Sequence, residues 1–536
     1  MVMEEPVGLF YGWFKILVIS FVGLLLVLKL IELVWWRPRK IEEHFSKQGI
    51  RGPSYHLFVG NVKELVGMMT NASSQPMSFS HNILPRVLPF YPHWKKIYGA
   101  TFLIWFGPNV RLAVSDPDLI REVFTSKSEF FEKIEAHPLV KQLEGDGLLS
   151  LKGEKWAHHK KILAPTFHME NLKLLVPVVA KSVINLLDNS LPMSSSAEVE
   201  IEVSEWFQTL TEDVITRTTF GNSHEDGKAI FKLQAQQMEL AADAFQKVLI
   251  PYFSRFFPTK RNINSWRLDK EIKKSLIKLI DCRKQRQRQR QKTQIDKEGP
   301  IPIPIPKDLL GLMIQASNIT VHDIVEECKG FFFAGKQTTS NLLTWTTVLL
   351  AMHPHWQVLA RDEVLSVCGS RDLPPSKDDL VKLKTLSMIL NESLRLYPPI
   401  IAMIRRAKSD VELGTHKVPR GTELLMPILA LHHDQSIWGN DAKEFNPGRF
   451  SKGVTGAVKH QAGFIPFGLG GRTCIGQSLA ILQAKLALAI LLQRSSFRLA
   501  PTYQHAPAVQ MLLHPQYGAP LIFRRLPHPN PPHDSS

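Results

Sequence analysis

The residues best placed to do chemistry lie near the C-terminus, in Phe467-Gly468-Leu469-Gly470-Gly471-Arg472-Thr473-Cys474-Ile475-Gly476. Glycines let the backbone curl so that amides can point at a sulfur, which stabilises a thiolate. The run QSLAILQAKLALAILL follows at once and is expected to be helical; its positive N-terminal end favours the same anion. Arg472 adds a planar fork suited to a carboxylate. A thiolate held this way is a metal ligand. Cys282, Cys328 and Cys368 lack such surroundings and read as small buried hydrophobes. The four cysteines form no CxxC pair, which excludes a zinc ribbon or disulfide framework and suits a reducing compartment. The sequons at Asn71, Asn318 and Asn391 are then expected to carry no sugar.

Two other clusters stand out. Ala334-Gly335-Lys336-Gln337-Thr338-Thr339 sits inside a long apolar run, where a threonine on its own bonds back to a carbonyl and bends the helix. Glu392 and Arg395 are i, i+3 neighbours in a helical segment, a pair that on its own contributes a few tenths of a kcal/mol. Phe445-Asn446-Pro447-Gly448-Arg449-Phe450 follows about fifty residues later.

The elements that position these residues follow from hydropathy. From Leu9 to Val34 the chain is mainly apolar; Trp35-Trp36 and then Arg37, Arg39 and Lys40 follow. The length, the basic stop and the lack of a small-residue cleavage site favour a membrane anchor over a cleaved signal. Residues 1–36 are thus an anchor with the bulk of the chain cytosolic, and 37–53, ending in Ile50-Arg51-Gly52-Pro53, a basic hinge. Residues 54–526 form the catalytic body, and the proline-rich 527–536 a disordered tail. Thr101–Phe106 and Val110–Val114 alternate like strands. A long helix starts at Thr320, which with Asp323 forms a capping-box-like pair, and stops by His353-Pro354. Arg283–Lys292 (RKQRQRQRQK) has no apolar face and reads as an exposed basic helix end; Ile301–Pro306, alternating with proline, cannot continue it. The net charge of +16 suits an anionic surface, phospholipid or an acidic protein. No zinc-finger spacing or aromatic RNA motif supports nucleic acid as a partner.

Taken together, Phe-x-x-Gly-x-Arg-x-Cys-x-Gly, Glu392-x-x-Arg395 with Arg449, and the Thr338 helix resemble the cytochrome P450 family over the whole chain after the anchor. The resemblance implies a mainly α fold with small β-sheets, carried on an N-terminal transmembrane helix. It implies haem b with Cys474 as the metal ligand and Phe467, Arg472, Gly476, Trp156 and Lys160 as cofactor-binding residues. Thr338 and Gln337 take the catalytic positions, the small residues 334 and 335 letting a flat cofactor approach. Glu392, Arg395 and Arg449 become a buried structural lock. His158 and His159 stand at the surface or beside the propionates. The implied partners are dioxygen, NADPH–cytochrome P450 reductase and the endoplasmic reticulum membrane. Two departures matter. The family usually has an acid where this chain has Gln337, which cannot itself deliver a proton, and arginine where it has Lys160, a cation without the bidentate fork.

WWRPRKIEEHFSKQGIRGP, GDGLLSLKGEKWAHHKKILAPTFHMENLK and FFFAGKQTTSNLLTWT are similar to plant enzymes that inactivate brassinosteroids by side-chain hydroxylation. That likeness implies an apolar steroid substrate attacked at C-26, with Phe332, Phe333, Ile400, Ile401, Met403 and Met511 as candidate pocket residues. A fatty-acid or other lipid ω-hydroxylase is the nearest alternative. A haem-thiolate isomerase, whose relatives typically lose the threonine, and a haem-binding sensor are further ones.

Overall fold

The computed structural model describes residues 6–192, 194, 196–246, 259–298, 308–316 and 318–527. The apolar N-terminal run folds as helix α1 (Pro6–Ile31), exposed from Tyr11 to Ile31 apart from a half-buried Gly23, and apolar enough to cross a membrane. A single π-turn, Glu32–Trp36, joins it to α2 (Arg37–Ser46) without a break. Such turns displace carbonyls from the regular ladder, and the Tyr55 hydroxyl donates to Val34 O at 2.8 Å.

Residues 37–53, expected as a hinge, are therefore helical as far as Ser46. The reason is local amphipathicity: Pro38 and Phe45 are buried, with Ile41 packed between them and the body. Beyond the turn at Gly49, Leu103 N donates to Arg51 O at 3.0 Å. Gly52 lies so close to the Leu103 backbone that a Cβ there would overlap it. The basic stretch is a docked collar.

Strands β1 (Thr101–Phe106) and β2 (Asn109–Val114) form an antiparallel hairpin, close to the expected limits. With β3 (Phe131–Lys133), β4 (Met403–Ala407) and β5 (Glu423–Met426) they make a five-stranded sheet of order β1-β2-β5-β4-β3. Its register sets Lys133 directly opposite Arg405.

Three smaller sheets are also present among the described residues, but the elements around the site are mainly helical: α3 (Pro138–Glu144), α4 (Gly153–Leu163), α5 (Val203–Phe220), α6 (Val321–Met352), α7 (Lys384–Leu396) and α8 (Gln477–Arg494). The α6 helix starts with the expected capping box, the Thr320 hydroxyl and Asp323 carboxylate each accepting the other's amide. It ends at His353, where Pro354 has no amide to continue the ladder. Leu342, Leu343, Trp345 and Val348 of α6 join Leu486, Leu488 and Leu491 of α8 in one buried core. Both helices are apolar on most sides because both cross that core.

The basic run from Arg283 lies in the helix Lys260–Glu298, as expected; Arg283 itself turns inward to Asp308 at 2.5 Å. Cys282 is exposed, contrary to its expected burial, because it shares this helix's solvent side; Cys328 is buried and Cys368 partly so. The Ile301–Pro306 run, and the tail beyond Pro527, fall outside the described residues.

A chain of buried rings closes the core beside α6. His81 bonds His353 at 2.9 Å and the Tyr397 hydroxyl at 3.0 Å; Tyr397 in turn meets His505 at 3.2 Å. Burial, the largest cause, lowers His81, His432 and His433 to about 3 and His505 to about 4. An imidazole with a depressed folded pKa stabilises the folded chain only while neutral. That contribution is complete above the unfolded value of about 6.5 and is lost as pH falls through the folded values. The thermal midpoint is expected to fall steadily from about pH 7 to about pH 5, inside that window. A midpoint that does not move would show that these imidazoles protonate freely in the folded chain.

Candidate functional site

The Cys474 loop is held by backbone geometry. Gly468 and Gly470 adopt φ of 79° and 71°, values that favour glycine. A Cβ on Gly470 would also overlap the Phe124 carbonyl. Cys474 N donates to Phe467 O at 2.9 Å, and α8 begins three residues later at Gln477. Burial, the largest influence, pushes the Cys474 thiol up; the Gly476 amide, Lys133 and the Gln477 amide oppose it. The sulfur is packed on its protein side and open toward a cavity.

Behind the loop lies the expected lock. Arg395 grips Glu392 with two bonds of 2.7 and 2.8 Å, and Arg449 Nε adds a third of 3.1 Å to the same carboxylate. Glu392 and Arg395 are fully buried. Arg395 also donates to the carbonyls of His432 and Ala442, and the His432 ring accepts from Ile465 N at 3.1 Å. Ile465 enters the cysteine loop, so the lock is tied to it through one histidine.

The cavity measures about 730 Å³. Cys474, Phe467, Gly476, Arg472, Trp156, Lys160 and Thr338 all line it; Gln337 does not. Trp156 is a platform, with the Arg472 guanidinium 4.2 Å and Lys160 Nζ 5.0 Å from its ring centroid. Lys160 also donates to Gly471 O at 2.6 Å.

Two cations absent from the sequence reading complete the group. Lys133 and Arg405, opposed in the sheet, both line the cavity. Burial followed by mutual repulsion lowers Lys133 to about 8, and burial followed by Arg472 lowers Arg405 to about 10. Like charges directly opposed in a sheet are destabilising, and Arg472 Nη1 is buried without a hydrogen-bond partner among the described residues. Four cations facing one space call for an anion. A planar group with two carboxylates beside a thiolate, as in haem, matches this donor set.

Other candidates fall elsewhere. Thr338 Oγ1 donates back to Ala334 O at 2.7 Å while lining the cavity. Gly335 has a second use: a Cβ would sit 2.7 Å from Ile215 Cδ1, so glycine lets α5 and α6 approach. Ile400 and Met403 line the cavity. Phe332 instead packs 4.1 Å from Phe231 between ring centroids, Ile401 joins the main core, and Phe333 and Met511 pack on Leu139, Leu143 and Ala241. Helical periodicity turns Phe332 and Phe333 away from the cavity, while Ile401 and Met511 lie outside any helix and pack into the core instead. His159, expected at the surface or beside the propionates, is buried against Glu327 at 2.6 Å, while His158 meets Asn318 O at 3.0 Å. Phe124, Phe167 and Ile215 also line the cavity; no local motif marks them, since distant elements bring them together.

Fold and site together define a haem-thiolate protein. The cytochrome P450 family profile matches residues 87–522. The chain is 72% identical over 527 residues to cytochrome P450 734A1 of Arabidopsis thaliana, covering 98% of this chain and 99% of that protein. It is 58% identical over 517 residues to cytochrome P450 734A6 of Oryza sativa subsp. japonica (92% and 93%). It is 41% identical over 527 residues to cytochrome P450 CYP72A219 of Panax ginseng (95% and 99%). The chain belongs to the cytochrome P450 family. It is a haem-dependent monooxygenase, and membership implies dioxygen and a reductase as redox partner.

Cys474→Ala is expected to abolish the strongly red-shifted Soret band of the reduced carbon-monoxide complex, which thiolate ligation produces, and to weaken haem retention. Persistence of that band in the variant would assign the ligand elsewhere.

Proposed function

We propose that the chain hydroxylates the side chain of a brassinosteroid-type steroid such as castasterone or brassinolide, at the terminal C-26 carbon, and thereby inactivates it. Cys474 is the iron ligand; Arg472, Lys160 and Trp156 hold the acidic edge of haem, with Lys133 and Arg405 beside them. The helix Pro6–Ile31 anchors the protein in the endoplasmic reticulum membrane, and NADPH–cytochrome P450 reductase is the electron donor. The substrate reading is supported by the three segments similar to brassinosteroid-inactivating enzymes. The site observation that carries it is the apolar wall of Ile400, Met403, Phe331 and Leu342 beside Thr338 and Cys474, suited to a rigid hydrocarbon skeleton.

Haem, bound through a thiolate, supplies oxygen activation, the thiolate favouring O–O cleavage. The overall change inserts one oxygen atom of dioxygen into a C–H bond and releases the other as water, with two electrons and two protons. The protein's part is to hold the ring system away from the iron and lay the side chain over it, which places one C–H bond near the reacting centre. Thr338 governs protons. Its own hydrogen is engaged by Ala334 O, so Oγ1 first offers an acceptor to a cavity water and donates only when that bond opens. Gln337 cannot serve as a general acid, and water must carry the proton.

Thr338→Ala is expected to leave spectral binding of substrate intact while raising peroxide released per NADPH consumed; unchanged coupling would exclude this route.

Incubation with reductase, NADPH and either castasterone or a fatty acid of similar length tests the substrate. Side-chain hydroxylation of castasterone is expected, and turnover of the fatty acid alone would make the enzyme a lipid ω-hydroxylase. Product formed without NADPH consumption would favour an isomerase, and binding without turnover a sensor.

A further inference from the structure

Two consecutive glutamates, Glu326 and Glu327, lie inside the buried first half of α6 and are 2% and 1% exposed. Such placement is costly for carboxylates unless each is fully bonded. Both accept from the backbone of one loop. Asp146 N donates to Glu326 Oε2 at 3.0 Å, and Leu148 N donates to Glu327 Oε1 at 2.8 Å. The loop reaches them because it is glycine-rich: a Cβ on Gly147 would lie 2.7 Å from Glu327 Oε2, and one on Gly145 would crowd the Glu326 carbonyl. Gly330 on the helix side is also tight: a Cβ there would lie 2.9 Å from Glu144 O. At its far end the loop is held by Lys133, which donates to Leu149 O at 2.9 Å.

Glu326 also pairs with Lys273 at 3.3 Å and Lys329 at 3.5 Å, whereas the further contact of Glu327 runs to α4. The same Oε1 accepts from His159 Nδ1 at 2.6 Å, and His159 lies on α4 between Trp156 and Lys160. His159 Nε2 is 4.0 Å from Asp323, itself paired with Lys155 at 2.8 Å. Glu327, Leu148, Leu149 and Ser150 all line the cavity. One carboxylate oxygen thus joins a cavity loop to the helix that carries the Trp156 platform.

We propose that Glu327 is a positioning residue that sets two things at once: the seating of the loop Gly145–Ser150 against the substrate cavity, and the seating of α4 against the acidic edge of haem. The loop arm is independent of what the substrate is. The helix arm rests on the placement of haem beside Trp156 and Lys160.

The test uses full-length holoenzyme and two ferric-haem ligands, ketoconazole, which fills the cavity, and imidazole, which does not. Haem transfer to apomyoglobin reads the second arm. Glu327→Ala is expected to weaken ketoconazole about tenfold, the scale of one charge-assisted hydrogen bond, with imidazole unchanged. It should speed haem transfer by a similar factor. Glu327→Gln keeps an oxygen for both donors and is expected to restore both readouts to within about threefold of wild type. His159→Phe severs only the helix arm, so transfer should quicken while ketoconazole binding holds.

Equal loss of ketoconazole and imidazole, a glutamine variant as damaged as the alanine one, or two unchanged readouts would each overturn the proposal. Where the alanine variant takes up no haem, the glutamine and phenylalanine variants decide, and unchanged transfer in His159→Phe counts against it. Lys160→Ala separates the two claims. If it leaves transfer unchanged, the haem placement fails, and the loop arm is judged on ketoconazole alone.

Discussion

The buried carboxylate of Glu392 is shared by two guanidinium groups, Arg395 with two bonds and Arg449 with one. Taking these charges out of water is expensive, and the cost is offset only when every donor is used. Here the spare donors of Arg395 close on backbone carbonyls at His432, Ala442 and Glu444, and those of Arg449 on Asp441. Three separate stretches of chain, 392–395, His432 and 441–449, must meet for the charges to be satisfied. Removing one partner from such a cluster costs about 3–5 kcal/mol, so the cluster tolerates few alternative packings. The cysteine loop inherits that definition through the bond from Ile465 to the His432 ring.

On the cavity side the balance is reversed. Lys133, Lys160, Arg405 and Arg472 face one space, and Lys133 and Arg405 are depressed there, first by burial and then by a neighbouring guanidinium. The lock behind the loop is electrostatically closed, whereas the site before it presents cations suited to an anionic group. Stability and binding are thereby separated along a few residues of the same loop.

The apolar N-terminal helix and the catalytic body are joined more tightly than a flexible tether would allow. The helix runs unbroken from α1 through the π-turn into α2, whose apolar stripe packs on the body. The Tyr55 bond to Val34 O occupies one carbonyl at that turn. Helix α1 thus continues directly from an element packed on the body.

Much of this was legible in the residues alone. The cysteine loop, the capping box at Thr320, the strand pair from Thr101 and the stop at Pro354 are local matters, decided by backbone freedom, hydrogen-bond reciprocity and side-chain period. Glu392, Arg395 and Arg449 could be named because motif spacing carries them. Only the tertiary structure decided the rest. Lys133 and Arg405 become a pair through sheet register between strands about 270 residues apart, which no local pattern encodes. Phe332 and Phe333 turn to the core, and Ile400 and Met403 to the cavity, because orientation on an element depends on what packs against it. His159 read as a surface or propionate-side residue beside His158, yet Glu327 draws it inside. Sequence specifies which groups are available and what each backbone stretch can do; long-range packing chooses which of them share a space.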